Sequence, residues 1–485
     1  MKKNELKTLW TFFSQINQTP RPSKLEQKMI EFLINFATER HLEYTSDSAG
    51  NLIITKAASN KETNSNPIAL QAHMDMVCEK NIDSMHNFTT DPIITYTDGD
   101  WIKAVGTTLG ADDGIGIAMI LSILDSNDLD LPRLECLFTV DEETGLTGAK
   151  ALQSDFLTSQ SLINLDSEDD GEIFIGSAGG VDTIATFDIN QSTLPSNYFG
   201  FSITLKGLKG GHSGDDIHRP LGNAIIILSQ FLSSVNQETD LRIHQINGGN
   251  LRNAIPREAS ANIAIPIEFK EKLRVMLNLF IAELETMTSI QEPTMHWELE
   301  SNFEIKTAID SHISQGILTA LSTCPNGVIK MSDHISELVE TSTNIASIRT
   351  IENKIVIVSS QRSSIQESLS QISKTISNQF RNIGATVSHS DGYPGWEINL
   401  ESPLLKLAMQ SHQKLFQTPA KVKAIHAGLE CGLFKEKFPD LDVISIGPTM
   451  RGVHSPDERL SIQSTEKTYY WLIDILQSFQ KLNDI

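Results

Sequence analysis

Apolar residues along the chain recur in two periods, and the period changes with position. In PIALQAHMDMV (67–77), RLECLFTV (133–140) and SLINLDS (161–167) they form short runs of strand length, bounded by polar or turn residues. Between these runs, GIGIAMILSILDS (114–126) and GAKALQSDFL (148–157) read as helices. Upstream, MKKNELKTLWTFFSQINQ reads as an amphipathic helix. PRPSKLEQKMIEFLINFATER (20–40) predicts another, with Leu25, Met29, Phe32, Leu33 and Phe36 on one face. Ser23 and Glu26 are spaced as a capping box behind Pro22. SNKETNSNP (59–67) is a polar loop. Strands alternating with helices predict βαβ units and a mostly parallel, buried central sheet.

After about residue 183 the texture changes. YFGFSITLKGLKGGHSG (198–214) alternates apolar and polar residues as a half-exposed strand does, and GNAIIILSQFLSSV (222–235) follows as a helix. NKIVIVSSQRSS (353–364), the helical stretch 364–384 and ATVSHSD (385–391) repeat the strand–helix–strand pattern, which suggests an internal duplication in pattern rather than in letters. DGYPGWE (391–397) reads as the exit, after which LLKLAMQSHQKLF (404–416) and DVISIGPT (442–449) resume the earlier alternation. The expected architecture is an α/β domain (1–183 and 395–485) interrupted by an inserted α+β lid domain (184–394).

Length agrees with this: 485 residues exceed what one core usually serves. A formal charge of −22 repels phosphate backbones and argues against nucleic acid as a partner. Cys78, Cys136, Cys324 and Cys431 form no CxxC pair or disulfide-like framework, which suits a reducing compartment. The start lacks a signal-peptide apolar region, and no run approaches the ~20 apolar residues of a membrane span. The expectation is a cytoplasmic protein.

Candidate chemistry collects where apolar runs end. His73 and Asp75 lie in LQAHMDMV, Asp112 in TTLGADDGIG, Glu142 and Glu143 in LFTVDEETG, Asp166 in INLDSE, and His454 in RGVHSPDE. Each spot alone has a plain reading: a solvated acidic turn, an incidental HxD pair, a turn aspartate, a cap, a loop histidine. Together they meet at the carboxyl ends of parallel strands, where α/β proteins build their sites. Carboxylates crowded there repel one another unless cations neutralise them. Two histidines with three carboxylates suit zinc, with manganese or cobalt as substitutes, and one shared carboxylate would set two metals roughly 3.5–4 Å apart with water between them. Asp75, two residues from His73 on a strand, would accept its imidazole N–H. Glu142, a non-ligand beside Glu143, would take the water's proton and pass it to a leaving amine.

Read together, HMDMV, GADDG, DEETG, LDSE and the late HSPDE resemble the M20 metallopeptidase family over nearly the whole chain. The stretches LQAHMDMVCEK, GGHSGDDIHRP, DGYPGW, HAGLECGLF and SIGPTMRGVHSPDE resemble its Xaa-His dipeptidase branch. The resemblance implies one zinc on His73, Asp112 and Asp166 and another on Asp112, Glu143 and His454. Asp112 is then the bridge, followed by a cis peptide to Asp113, where an asparagine is more usual. Glu142 becomes the general base and Asp75 the orienting carboxylate. In the insertion, His212 would stabilise the oxyanion, and Asn253 and Arg362 would meet the substrate backbone, Arg362 suiting a terminal carboxylate. Gly428 would line the cleft. The implied protein is a di-zinc dipeptidase, a homodimer by analogy, acting on Xaa-His dipeptides with broad specificity. Relatives with the same metals act as di- or tripeptidases without histidine preference, or as N-acyl amino acid deacylases. A non-catalytic metal-binding interaction protein would be marked by loss of Glu142 or a ligand, and neither is seen.

Overall fold

A computed structural model of the chain describes residues 3–59, 66–286, 292–301 and 304–482, so most of the polar loop expected at 59–67 lies outside the described residues. Contacts divide the chain into two units: residues up to Gly176 with Trp396–Ala424 and those from Leu429 onward, and Ser177–Gly395 with Ile425–Gly428. The passage into the second unit comes earlier than 183/184. Gly179–Asp188 is one continuous strand whose whole length pairs with Lys354–Ser363, so its first residues cannot stay behind.

The first unit is built on an eight-stranded sheet. Its centre is parallel: Ile68–His73 lies between Leu134–Thr139 and Ser161–Asn164, and Asp442–Ser445 pairs parallel with the latter. Every residue of Ile68–His73 and Leu134–Thr139 is buried, as covering on both faces of a parallel sheet requires. Antiparallel strands flank it: Glu43–Ser46 and Leu52–Lys56 form a hairpin beside Leu134–Thr139, and Glu172–Ser177 pairs antiparallel with Asp442–Ser445. The helix Ala111–Asp125 packs between Ile68–His73 and the helix Lys3–Asn17. It is buried along its length, which explains why its sequence is apolar on all sides.

Two local readings change. The helix after PRPSKLE begins at Gln27, and Glu26, its N-cap, makes no side-chain cap hydrogen bond. Leu25 stands 57% exposed, while Met29, Leu33 and Phe36 carry the buried face. Ser23 and Glu26 are occupied elsewhere, as described below. The expected helix at 148–157 is only the short turn Thr147–Ala151.

The second unit holds a nine-stranded sheet whose strands pair antiparallel among the described residues. Alternate residues Phe201, Ile203 and Leu205 of Tyr198–Lys206 are buried in a core with Leu228 and Phe231 of the helix Ala224–Glu238. The two similar halves are one continuous sheet rather than two layers, joined where Arg242–Gly248 meets Val339–Ile351 at the pair Gly248↔Ile348.

Candidate metal centre

The carboxyl ends of the parallel strands deliver the first unit's polar residues to one place. His73 is the last residue of Ile68–His73, and Asp166 follows Ser161–Asn164 by two residues. Glu142 and Glu143 open the short helix that follows Leu134–Thr139. Asp141 precedes them with φ 51, a left-handed conformation that turns the chain sharply at the strand's end. Asp112 lies in the first turn of Ala111–Asp125, and the Asp112–Asp113 peptide is cis.

Asp112 sits between the two histidines. Its Oδ1 is 2.9 Å from His73 Nε2 and its Oδ2 is 3.2 Å from His454 Nε2. His73 Nε2 is also 3.4 Å from Asp166 Oδ1, and His454 Nε2 is 3.1 Å from Glu143 Oε2. His73 is buried, whereas the His454 side chain is 53% exposed. Ligand-type atoms lie within 4.8 Å of one another in three trios: His73, Asp113 and Asp166; His73, Glu142 and Glu143; Asp112, Glu143 and His454. Glu143 Oε1 is buried and has no hydrogen-bond partner among the described residues. An acceptor-only oxygen left this way, among imidazole and carboxylate donors, fits divalent cations by the chemistry of the set.

Asp75 is tightly held. It lies beyond the strand, so its position comes from the turn after His73 rather than from strand alternation. Its Oδ1 is 3.3 Å from His73 Nδ1 and accepts the Glu142 N–H at 3.0 Å. Its Oδ2 accepts from the Glu143 N–H at 3.2 Å and from Ser23 Oγ at 2.7 Å. Burial alone would raise this carboxyl, but His73, Ser23 and the Glu142 N–H together hold it at about 2. Asp113, within 4.8 Å of His73 and Asp166 by a carboxylate oxygen, also folds back onto the backbone. Its carboxylate accepts from the His73 N–H at 3.3 Å and from the Gly116 N–H at 3.2 Å. A Cβ at position 116 would fall 2.2 Å from its Oδ1, so Gly116 makes that fold-back possible.

Without metal, the pocket retains protons. Burial pushes the Asp166, Asp113 and Glu142 carboxyls well above their ordinary range. Burial works against a charged His73, but Asp166, Asp112 and Asp75 overcome it and hold its pKa up. Hydrogen bonds to Asp112 and Glu143 raise His454 to about 11. The His454 contribution to the metal-free fold is therefore full below about 6.5 and is lost as pH rises toward about 11. A metal needs the same nitrogens deprotonated, so binding should release protons and tighten with rising pH. Calorimetric titrations at pH 7 in buffers of different ionisation enthalpy should show net proton release; a buffer-independent heat would contradict this.

Four residues singled out in the sequence belong to the second unit. His212 Nδ1 accepts the Asp215 N–H at 3.2 Å and is 3.0 Å from Asp215 Oδ2. Asn253 is exposed, and its carbonyl accepts the Ser213 N–H at 2.8 Å, next to the bridge between His212 and Ala254. Arg362 is buried, donates from Nη1 to the Tyr393 hydroxyl at 2.8 Å, and has a buried Nε with no partner among the described residues. Gly428 leaves room for that tyrosine: a Cβ there would lie 2.7 Å from its Cε2. His426, two residues earlier, bonds Ser342 Oγ through Nε2 at 2.7 Å; burial, with Arg362 adding to it, lowers its pKa to about 3.

Several supporting residues gave no sequence signal beyond their presence in quoted motifs. Glu430 is fully buried, and its Oε2 accepts from Gln71 Nε2 and Thr139 Oγ1, each at 2.7 Å. Gln71 Oε1 accepts from Asn164 Nδ2 at 2.6 Å. Gln71 and Asn164 lie on central strands, each two positions before a pocket residue, His73 and Asp166. A polar belt thus crosses the central strands one layer below the pocket. Burial raises Glu430 to about 7.

Comparison with known proteins places this arrangement. A family model described as Peptidase family M20/M25/M40 matches residues 69–478. A protein of Escherichia coli (strain K12) described as cytosol non-specific dipeptidase is 40% identical over 465 residues, covering 96% of each chain. The crystal structure of aminoacylhistidine dipeptidase from Vibrio alginolyticus superposes with a TM-score of 0.90 at 40% identity, over 97% of this chain and 96% of that one. A tripeptidase from Staphylococcus aureus shares the fold, with a TM-score of 0.59 at 16% identity, over 98% of this chain and 99% of that one.

Proposed function

The chain belongs to peptidase family M20/M25/M40, and on that premise we propose that it is a two-metal dipeptidase whose ions are zinc and whose preferred substrates are Xaa-His dipeptides within a broad range. The single observation that carries the two-metal reading is Asp112, with one carboxylate oxygen facing each histidine. His73, Asp112 and Asp166 would hold one ion, and Asp112, Glu143 and His454 the other. The bound ions would supply Lewis-acid polarisation of the peptide carbonyl and make water a stronger acid.

The remaining chemistry belongs to the side chains. Asp75 orients His73 through Nδ1 and fixes the turn bearing Glu142 and Glu143 by accepting both their N–H groups. Glu142 takes a proton from the attacking water and returns it to the leaving nitrogen. His212, its ring set against Asp215, donates to the carbonyl oxygen as charge develops there. Arg362, held by Tyr393, binds the substrate's terminal carboxylate. Asn253 and Gly428 shape the subsite around the substrate backbone. We assign the protein to the cytoplasm on its four free cysteines, and to a homodimer by analogy with the family alone. No described helix is long and apolar enough to cross a membrane.

The deciding experiment assays carnosine, other Xaa-His dipeptides, dipeptides lacking histidine and N-acetyl amino acids, before and after chelation and zinc readdition. Dipeptide hydrolysis lost on chelation and restored by zinc supports the reading. Hydrolysis confined to N-acetyl amino acids would replace it with deacylation, and undiminished activity in metal-free protein would sink it. Arg362→Lys should raise KM for free dipeptides more than for their C-terminal amides, because an ammonium cannot pair with both carboxylate oxygens at once. An equal change for acids and amides would remove Arg362 from carboxylate recognition.

A further inference from the structure

Two ionisable side chains lie deep in the first unit with no part in the chemistry above. Arg21 is 1% exposed and Glu458 is 2% exposed. Arg21 donates from Nη1 to the Met74 carbonyl at 3.1 Å and the Asp75 carbonyl at 2.5 Å, and from Nη2 to the Gly110 carbonyl. Glu458 accepts four backbone N–H groups in succession: Leu109 at 2.7 Å and Gly110 at 3.0 Å on Oε2, Ala111 at 2.8 Å and Asp112 at 3.4 Å on Oε1. Gly110 is therefore gripped from both sides, its carbonyl by the cation and its N–H by the anion.

Those contacts join three segments remote in sequence. Met74 and Asp75 follow His73; Leu109 to Asp112 end in the carboxylate between the histidines; Glu458 is four residues beyond His454. The glycines of TTLGADDGIG belong to the same device. Gly110 has φ +67, and a Cβ there would lie 2.7 Å from Arg21 Nη2; a Cβ at Gly114 would lie 2.6 Å from it. The neighbouring segment adds two more ties: Ser23 to Asp75 Oδ2 at 2.7 Å, and Glu26 Oε1 accepting the Asp141 N–H at 3.0 Å. Residues 21 to 26 thus form a strap across the loops of the pocket rather than a helix cap.

We propose that Arg21 and Glu458 are positioning residues for the metal centre, a buried cation and anion that clamp the backbone at Gly110 and thereby hold the Asp112 segment in register with the segments bearing His73 and His454. The proposal rests on the two-metal reading given above. Burying an ion costs free energy unless hydrogen bonds compensate it, and these two are compensated almost wholly by backbone groups of the ligand-bearing loops. Arg21 also places a fixed positive charge near Asp75, Asp113 and Asp112, which eases the crowding of carboxylates before any metal arrives. A core-filling role alone would be met by apolar side chains and would not direct both charges at the backbone of one residue.

The test uses the full chain and three variants: Arg21→Lys, Glu458→Gln and Glu458→Asp. Zinc affinity is measured by competition with a chromogenic chelator, alongside circular dichroism, thermal unfolding of the metal-free protein, and kcat and KM across a range of free zinc. Glu458→Gln is informative because its amide NH₂ would face backbone N–H groups, donor against donor. The variants should fold, bind zinc roughly 10–100-fold more weakly, and regain activity as free zinc rises, with KM for the peptide little changed. Rescue by Glu458→Asp above Glu458→Gln would show that a carboxylate is needed. Variants that melt earlier without metal yet hold zinc as the parent does would overturn the proposal, as would failure of all three to fold, since the pair would then serve folding alone. Failure of the parent itself to bind zinc would instead remove the two-metal reading.

Discussion

Glu142→Gln is expected to lower kcat by roughly two to four orders of magnitude, the usual worth of a positioned general base, while zinc content and KM stay near the parent's. The amide keeps the side chain's size and leaves the Glu142 N–H on Asp75, so the turn carrying Glu143 is not disturbed. What the variant loses is a basic oxygen able to hold a proton between attack and departure of the leaving nitrogen. Stability should move the other way. In the metal-free chain burial first, then nearby Glu430, Glu143 and Asp112 against the opposing pull of His73, raise the Glu142 carboxyl well above 4.5. A carboxyl raised on folding costs stability once pH exceeds its unfolded value, so removing it should leave the metal-free melting temperature at pH 7 equal or higher. Turnover close to the parent's with zinc bound would end the assignment of Glu142, and a much lower metal-free melting temperature would contradict the electrostatic account.

The placement of the pocket was legible because its residues sit where apolar strands stop. His73, Glu142, Glu143 and Asp166 each follow a run whose period and length announce a buried strand, and parallel strands bring such ends together. The direction of the edge strands was not legible: hydropathy has no sign for strand polarity, and Leu52–Lys56 is as buried at its start as a central strand. The supporting residues were hidden for another reason. Arg21, Ser23, Glu26 and Glu458 act by hydrogen bonds to backbone or side-chain groups dozens to hundreds of positions away, and such bonds impose no spacing on the sequence. Ser23 and Glu26 even mimicked a local motif, because a capping box and a pair of long-range ties use the same donors and acceptors. Asp113 stands where an asparagine is more usual. Its carboxylate is spent on the N–H groups of His73 and Gly116, a fold-back that the sequence marks only by a glycine three residues on.

Asp112→Asn should have the widest effect of any single substitution in the pocket, because each of its oxygens faces a different histidine. An amide leaves one acceptor oxygen, so a shared ligand becomes at best a ligand to one ion. Metal content should fall from two equivalents to one or fewer, and dipeptide hydrolysis should drop to background at every zinc concentration that the protein tolerates. His73→Ala and His454→Ala each remove a contact from one side only, so each should retain an ion on the other. The metal-free protein distinguishes this account from simple relief of repulsion among crowded carboxylates. Burial opposes ionisation of Asp112, but hydrogen bonds with His454 and His73 more than reverse it and leave its pKa below 3.8. A carboxyl depressed on folding stabilises the fold above its unfolded value, and that contribution disappears as pH falls through the folded one. Asp112→Asn should therefore lower the metal-free melting temperature at pH 7, with the deficit shrinking in acid. A variant that melts higher than the parent at pH 7 in chelator would mean that repulsion dominates the pocket, and that the two histidines do not hold Asp112 as an anion.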